Sequence, residues 1–428
     1  MYHALNFHLS STDLQFFIPH SSFLIQFPML RHLFTLIWNR KRANLLLISE
    51  VFFSFVVLFG VGAVLITTAK NYLAPHGFNY EQVWRLEVRA GQNLKMPRAE
   101  LDDVLRQVKA LPGVRTVALT SGNTPFIFNT NNSVFEYQGK KSPQANVYDA
   151  DDHYVEAMQP HLREGRWFAP ADDGSNHRPV VISQDLRESL FGNGPALGKI
   201  FTWENPGKGA SKPEDEFLVM GVVDPVRMES DFSAPIPSVW KRLIPYDTTH
   251  WETANVLVRV APGSGGELQE KIARTVAGVT RQWTSQVRVM DDERLHRRRY
   301  TLVPVVGLCI MGLFLIINVA LGLFGVLWYN ISQRRAEIGL RRAMGATGAG
   351  IGWQFLGEMM VVTTFGVLLG MLLAAQFPLL NAFDLPAQPY LLAIAAAAGA
   401  VYAITALCAW QPSRLAARIH PAVALREE

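Results

Sequence analysis

Four stretches of the chain exclude charge for about twenty positions or more, the length at which a helix rising 1.5 Å per residue crosses a hydrocarbon core of about 30 Å. They run from Asn44 to Ile66, from Tyr300 to Gln333, from about Ile351 to Phe377 and from about Tyr390 to Gln411, and only Glu50 and Glu358 place a carboxylate inside them. No soluble fold requires four such runs, so the pattern predicts four membrane-spanning helices. Between the first and second spans the pattern changes. Short alternating runs at Val83–Val88, Val114–Leu119, Ser133–Tyr137, Val180–Ile182, Phe217–Val223 and Asn255–Val260 predict strands. Helical periodicity at Arg98–Leu111, Gln184–Phe191 and Glu267–Ala277 fills the gaps between them, giving a mixed α/β domain over residues 70–299. The turn-rich stretch Asn123–Pro143 reads as an inserted lobe of that domain.

Charge fixes the orientation. Arg31, Arg40, Lys41 and Arg42 precede the first span, Arg334, Arg335, Arg341 and Arg342 lie between the second and third, and Arg414, Arg418 and Arg426 follow the fourth. The short connection between the third and fourth spans has no basic residue, so the positive-inside rule puts both termini in the cytoplasm and residues 70–299 outside it. Aromatic belts agree: Trp38, Trp328, Trp353 and Trp410 fall at the inner ends, Tyr72, Tyr300 and Tyr390 at the outer ends. The net charge of +4 belongs to these flanks, which argues for a membrane and against a nucleic-acid partner. Residues 1–28 contain no lysine or arginine and so do not form a signal peptide. Two readings stay open for them: translation that starts at Met29, or a short cytoplasmic extension.

The exported domain offers little chemistry. Both cysteines, Cys309 and Cys408, lie in apolar spans, which leaves the domain without a disulfide or thiol site. Asp149, Asp151, Asp152 and His153 are of metal-ligating types, but their spacing matches no calcium or zinc loop and reads as a solvated turn. The run from Gly194 to Lys199 is one residue short of a phosphate loop and lacks the Ser or Thr after the lysine. No catalytic arrangement and no metal site is expected.

The loop between the second and third spans carries the sharpest signal. At 100° per residue, Arg334, Arg335, Arg341 and Arg342 share one face with Ile338 at its middle, and Ala336, Leu340, Ala343, Met344 and Thr347 form the opposite stripe, which predicts a short amphipathic helix. Glu337 stands four residues before Arg341, and Gly345, Gly348, Gly350 and Gly352 follow as a flexible hinge. On physics alone this face suits anionic headgroups as well as a docked protein. In the spans, Gly366, Gly370 and Ala374 make a small-residue stripe suited to close helix packing, while Glu50 and Glu358 read as polar contacts buried in the bundle, groups that snorkel, or partners of an arginine.

The run RRAEIGLRRAMGAT resembles the signature of the FtsX-like/MacB-type ABC transporter permeases, and the ending from Pro412 through Pro421 to Arg426 is similar to that family's. Gly165-Arg166-Trp167-Phe168 with Asp172-Asp173, VVISQDLRESLFGNGPALGKIF and FLVMGVVDPV resemble the MacB periplasmic core domain. The resemblance implies a four-helix membrane protein with an α/β extracytoplasmic domain of MacB periplasmic-core type, divided as an extension (1–28), the first span (29–69), the outer domain (70–299), the second span (300–329), a cytoplasmic coupling helix with its hinge (330–350), the third span (351–377), an outer loop (378–389), the fourth span (390–411) and a cytoplasmic tail (412–428).

It further implies a non-catalytic subunit of a bacterial inner membrane. Arg334, Arg335, Glu337, Ile338, Gly339, Leu340, Arg341, Arg342 and Gly345 would couple it to a cytoplasmic ABC ATPase, which would carry the ATP and magnesium. Since GxxxxGK[ST] is not found in the sequence, the ATPase is expected on a separate chain. A second permease chain would pair with this one, and a periplasmic adaptor or a hydrolase would meet the outer domain. Efflux driven by mechanical transmission is the expected role; the alternative is a regulator of a cell-wall hydrolase that transports nothing.

Overall fold

The computed structural model describes residues 41–91, 96–127, 131–204, 215–243, 251–380 and 386–417. The expectations for residues 1–28, for Arg31, Arg40, Arg418 and Arg426, and for the middle of the outer loop lie outside these residues. The chain divides into two units, residues 65–307 and residues 1–64 with 308–428.

The first unit is built on one sheet. Its strands are β1 (Val83–Arg89), β2 (Val114–Gly122), β3 (Asn132–Ser133), β4 (Phe135–Tyr137), β5 (Lys140–Lys141), β6 (Ala145–Ala150), β7 (Leu162–Gly165), β8 (Arg178–Ser183), β9 (Ile200–Trp203), β10 (Glu216–Val223), β11 (Ser238–Arg242), β12 (Thr253–Val260) and β13 (Thr284–Val289). They order as β13-β1-β12-β2-β6-β11-β8-β10-β9-β4-β5, with β3 beside β6 and β7 beside β10. The inserted lobe expected at Asn123–Pro143 is therefore not separate: β3 pairs with β6 and β4 with β9 in the same sheet. The reason is the partner strands. β6 and β9 offer ladder hydrogen bonds that turn-rich residues can accept once they are delivered to the edge, a tertiary effect that local composition does not report.

Burial follows the alternation of each strand. Trp84, Leu86 and Val88 of β1 and Val256, Val258 and Val260 of β12 meet Leu101, Val104 and Val108 of one helix (Arg98–Lys109) and Leu268, Ile272 and Val276 of another (Gly266–Val279). Central strands are covered on both faces. In β8, Val180 and Ile182 pack with Phe135, Phe201 and Phe217, while Val181 points to the opposite core with Tyr148, Trp167 and Trp240. Gly165 has φ +73°, and a Cβ there would overlap the Met220 carbonyl oxygen, because β7 and β10 pair Gly165 with Gly221. That close approach needs glycine. The neighbouring Arg166 makes a two-point ion pair with Asp172, at 2.8 and 2.6 Å, so the expected family motif in this stretch is a fold staple. Asp152 is held by Arg242 at 2.8 Å and Asp149 by Lys241 at 3.1 Å, which accounts for two of the acids near His153.

The second unit holds the long apolar helices up to residue 64 and from residue 308. Label as α1 Lys41–Leu73, α2 Met290–Gln333, α3 Arg335–Ala343, α4 Gly348–Ala374 and α5 Ala387–Ala417. α1, α2, α4 and α5 are long and apolar enough to cross a membrane. Each buries a narrow stripe at fourfold spacing: Leu47, Val51, Phe55, Phe59 and Ala63 of α1, and Val319, Leu323, Leu327 and Ile331 of α2. Leucines elsewhere on these helices, such as Leu45, Leu313 and Leu372, stay exposed, as expected of surfaces that face lipid. α4 and α5 are joined by a Thr363–Thr405 hydrogen bond of 3.1 Å and a Thr364–Tyr402 bond of 3.0 Å.

Candidate functional site

In the helical unit, the loop between α2 and α4 is the first candidate. α2 ends at Gln333, and Arg334 breaks the helix at φ −104°, ψ 19° before α3 begins. The end of α3 is a closed cap. Gly345 sits at φ +101°, its amide reaches the Arg342 carbonyl at 3.1 Å, and the Ala346 amide reaches the Arg341 carbonyl at 3.0 Å. The expected glycine hinge is thus reduced to one residue: Gly348, Gly350 and Gly352 lie inside the first turns of α4, whose start is capped by Thr347 accepting from the Gly350 amide at 3.2 Å. A capping threonine outweighs the weak helix propensity of the glycines.

The two faces of α3 are reversed from expectation. Ile338 is 3% exposed and Gly339 is buried with it, so Ile338 already packs within this chain and presents nothing to a partner. Leu340 is 52% and Met344 73% exposed, on the stripe opposite. Arg334 donates to Glu358 at 3.2 and 3.4 Å, and Gln354 donates to the same carboxylate at 3.2 Å. Glu358 therefore pairs with a loop arginine across one helical junction. Arg341 bonds Glu337 and donates to Gln354 at 3.1 Å, while Arg335 is exposed and Arg342 half-buried.

The other intramembrane residues fall between helices. The Glu50 carboxylate lies directly over Gly322, where an added Cβ would overlap it. A Cβ on Gly366 would come within 2.6 Å of Val51 and 3.0 Å of the Ile48 carbonyl, and one on Gly370 would overlap the Phe55 ring. Ala374 continues that buried line. These residues let α4 lie against α1 at a distance no larger side chain permits.

A second cluster, in the sheet-bearing unit, had no signal in the sequence. The segment Asp224–Ser233 after β10 holds the end of α1 and the start of α2. Arg227, 1% exposed, donates to the Pro75 carbonyl at 3.0 Å, the Asn71 carbonyl at 2.5 Å, the Asp231 carbonyl at 2.7 Å and the Ala74 carbonyl. Carbonyls at a helix end have no partner of their own, and this guanidinium supplies one. The buried Asp231 accepts from Arg294 of α2 at 2.8 Å and bonds His76 at 3.0 Å. Arg298 lies over Tyr72 at 5.3 Å, and Tyr72 stacks on Phe232 at 5.6 Å. Burial, followed by the Arg227 charge, holds the His76 pKa below its usual value against the opposing pull of Asp231. Gly77 at φ +82° passes so close to the Pro225 carbonyl that a Cβ would collide with it.

Comparison with known proteins gives this arrangement a place. Residues 44–275 match the family described as MacB-like periplasmic core domain, and residues 309–421 match FtsX-like permease C-terminal. An uncharacterized ABC transporter permease, YvrN of Bacillus subtilis, is 26% identical over 345 residues, which cover 76% of this chain and 79% of that protein. Macrolide export ATP-binding/permease protein MacB 1/2 of Paracoccus denitrificans is 25% identical over 354 residues, 80% of this chain and 49% of that protein, so the chain spans about half the length of this relative. The periplasmic region of MacB from Actinobacillus actinomycetemcomitans covers 52% of this chain and 95% of its own at 13% identity, with a TM-score of 0.35. With one match spanning the first transmembrane helix and the outer domain and the other the remaining helices, the chain belongs to the MacB/FtsX type of ABC transporter permease.

Proposed function

We propose that the chain is the permease subunit of an exporter whose cytoplasmic ABC ATPase binds at α3 and whose spans carry the resulting motion to the extracytoplasmic domain. The observation that carries this reading is the short helix between two spans with Leu340 and Met344 exposed and Ile338 and Gly339 buried beneath. Exposed apolar side chains on a helix that is also basic suit a protein groove better than water. The relatives' names support the assignment: YvrN is named as an ABC transporter permease, and the MacB proteins as macrolide export ATP-binding/permease proteins. ATP and magnesium belong to the ATPase subunit, and a second permease chain completes the assembly so that two ATPases can close together. Outward transport, cytoplasmic termini and a bacterial inner membrane are part of the same proposal.

The test uses the full chain purified with its ATPase subunit. Met344→Asp and Leu340→Asp each place a carboxylate where an apolar contact is expected, so co-elution and permease-stimulated ATP hydrolysis should both fall at least tenfold, equivalent to about 1.4 kcal/mol or more. Wild-type values in both variants would refute docking at this helix. Co-purification of a cell-wall hydrolase, with no effect of the variants on export, would favour the regulatory alternative.

A further inference from the structure

A groove of about 240 Å3 opens beside the start of α4 and the end of α5, lined by Gly348, Gly352, Trp353, Leu356, Trp410 and Arg414. Among the described residues no acid lines it, and the one charge there is the Arg414 guanidinium, stacked over the Trp410 ring at 4.6 Å. Among the described residues Arg414 has no carboxylate partner, whereas Arg334 is paired with Glu358 and Arg341 with Glu337. Trp353 is 71% and Trp410 56% exposed, so two indoles flank the cation at the ends of helices that cross the membrane.

We infer that this groove binds one anionic phospholipid, with its phosphodiester on Arg414 and its glycerol and upper acyl carbons against Leu356 and the Gly352 backbone. Three properties select that occupant. The guanidinium, without a carboxylate partner among the described residues, offers paired N–H donors to phosphate oxygens. Its cation–π contact with Trp410 holds it in place, which lowers the entropy lost on binding. The two exposed indoles are amphipathic groups of the kind that settle where headgroup and hydrocarbon meet. The apolar lining then suits the lipid's chains, and a described lining that holds a cation and no acid favours an anion over a zwitterion. The inference rests on the four apolar helices and goes beyond the docking proposed at α3.

Native mass spectrometry of the full chain in mild detergent, titrated with phosphatidylglycerol or phosphatidylcholine of the same acyl chains, tests it. The wild type should retain one phosphatidylglycerol more tightly than phosphatidylcholine, and Arg414→Gln should weaken phosphatidylglycerol about five- to tenfold and phosphatidylcholine, whose phosphate is offset by its choline, by less. Gly352→Leu fills the groove without altering charge and should lower phosphatidylglycerol retention as well. Equal retention of the two lipids by the wild type overturns the inference. So does unchanged phosphatidylglycerol binding in both variants, including the case in which they lose the ATPase subunit instead, which would give the groove to that protein.

Discussion

Arg227→Met should destabilise the sheet-bearing unit more than other arginine substitutions there, because it keeps the apolar stem and removes every donor of a buried guanidinium. Four carbonyl oxygens lose a charged partner, those of Asn71, Ala74, Pro75 and Asp231. A hydrogen bond to a charged group contributes about 1.5–3 kcal/mol, but bonds from one guanidinium do not add, and breaking a buried charge contact costs about 3–5 kcal/mol in all. The unit covers residues 65–307. At that size, each kcal/mol moves the melting temperature by about 2–4 °C, so the expected fall is about 6–20 °C.

Thermal unfolding of the full chain in detergent, followed by tryptophan fluorescence, reads this directly. Arg227→Lys should fall between wild type and Arg227→Met, since an ammonium keeps three donors but cannot spread them over four oxygens. A second signature separates lost bonds from general damage. The Arg227 charge is one of the causes that hold down the His76 pKa, so its removal should raise that pKa. A melting temperature of Arg227→Met within about 2 °C of wild type would refute the reasoning.

Gly370→Leu should drive a side chain into Phe55 and destabilise the helical unit by about 1–3 kcal/mol, with Phe55→Ala in the same chain restoring part of it; wild-type thermal stability of the single variant would remove α4–α1 packing as the reason for the glycine. The His76 pKa is depressed in the folded state, so below the unfolded value of about 6.5 the unfolded chain binds the extra proton first. Stability is therefore full above that pH and is lost as pH falls below it, and His76→Gln, compared with wild type from pH 5 to 8, should show a shallower loss; identical profiles would exclude His76 as the titrating group.

Much of the architecture was legible because it follows from patterns that water and lipid impose locally. Strands β1, β8, β10 and β12 and the helix Gln184–Phe191 lie where alternation and periodicity put them. Other strands were missed for definite reasons. β11, Ser-Val-Trp-Lys-Arg, gains its place by pairing with β6 and β8, and β13, Thr-Ser-Gln-Val-Arg-Val, by edge pairing with β1. The Arg227 cluster was invisible because its partners are backbone carbonyls about 150 residues earlier in the chain, which no side-chain spacing records. For Glu358, pairing with an unnamed arginine was one of the readings left open, and the structure supplies that arginine as Arg334.

Helix α3 shows a different limit. A helical wheel groups residues correctly by angle, and in α3 it separates Ile338 from Leu340 and Met344 as the structure does. It does not say which group turns inward when both faces are amphipathic. Placing the arginines outward assumes that charge seeks water, yet Arg334 and Arg341 bond Glu358, Glu337 and Gln354, and Ile338 on the same face is buried. The carboxylate that makes this favourable lies 24 positions after Arg334, on the next helix. An exposed Met344 then follows from the same rotation, so the apolar contact proposed for the ATPase and the ion pair at Glu358 are two consequences of one orientation. Disrupting the pair with Glu358→Gln should loosen that orientation and weaken ATPase binding without touching the contact itself.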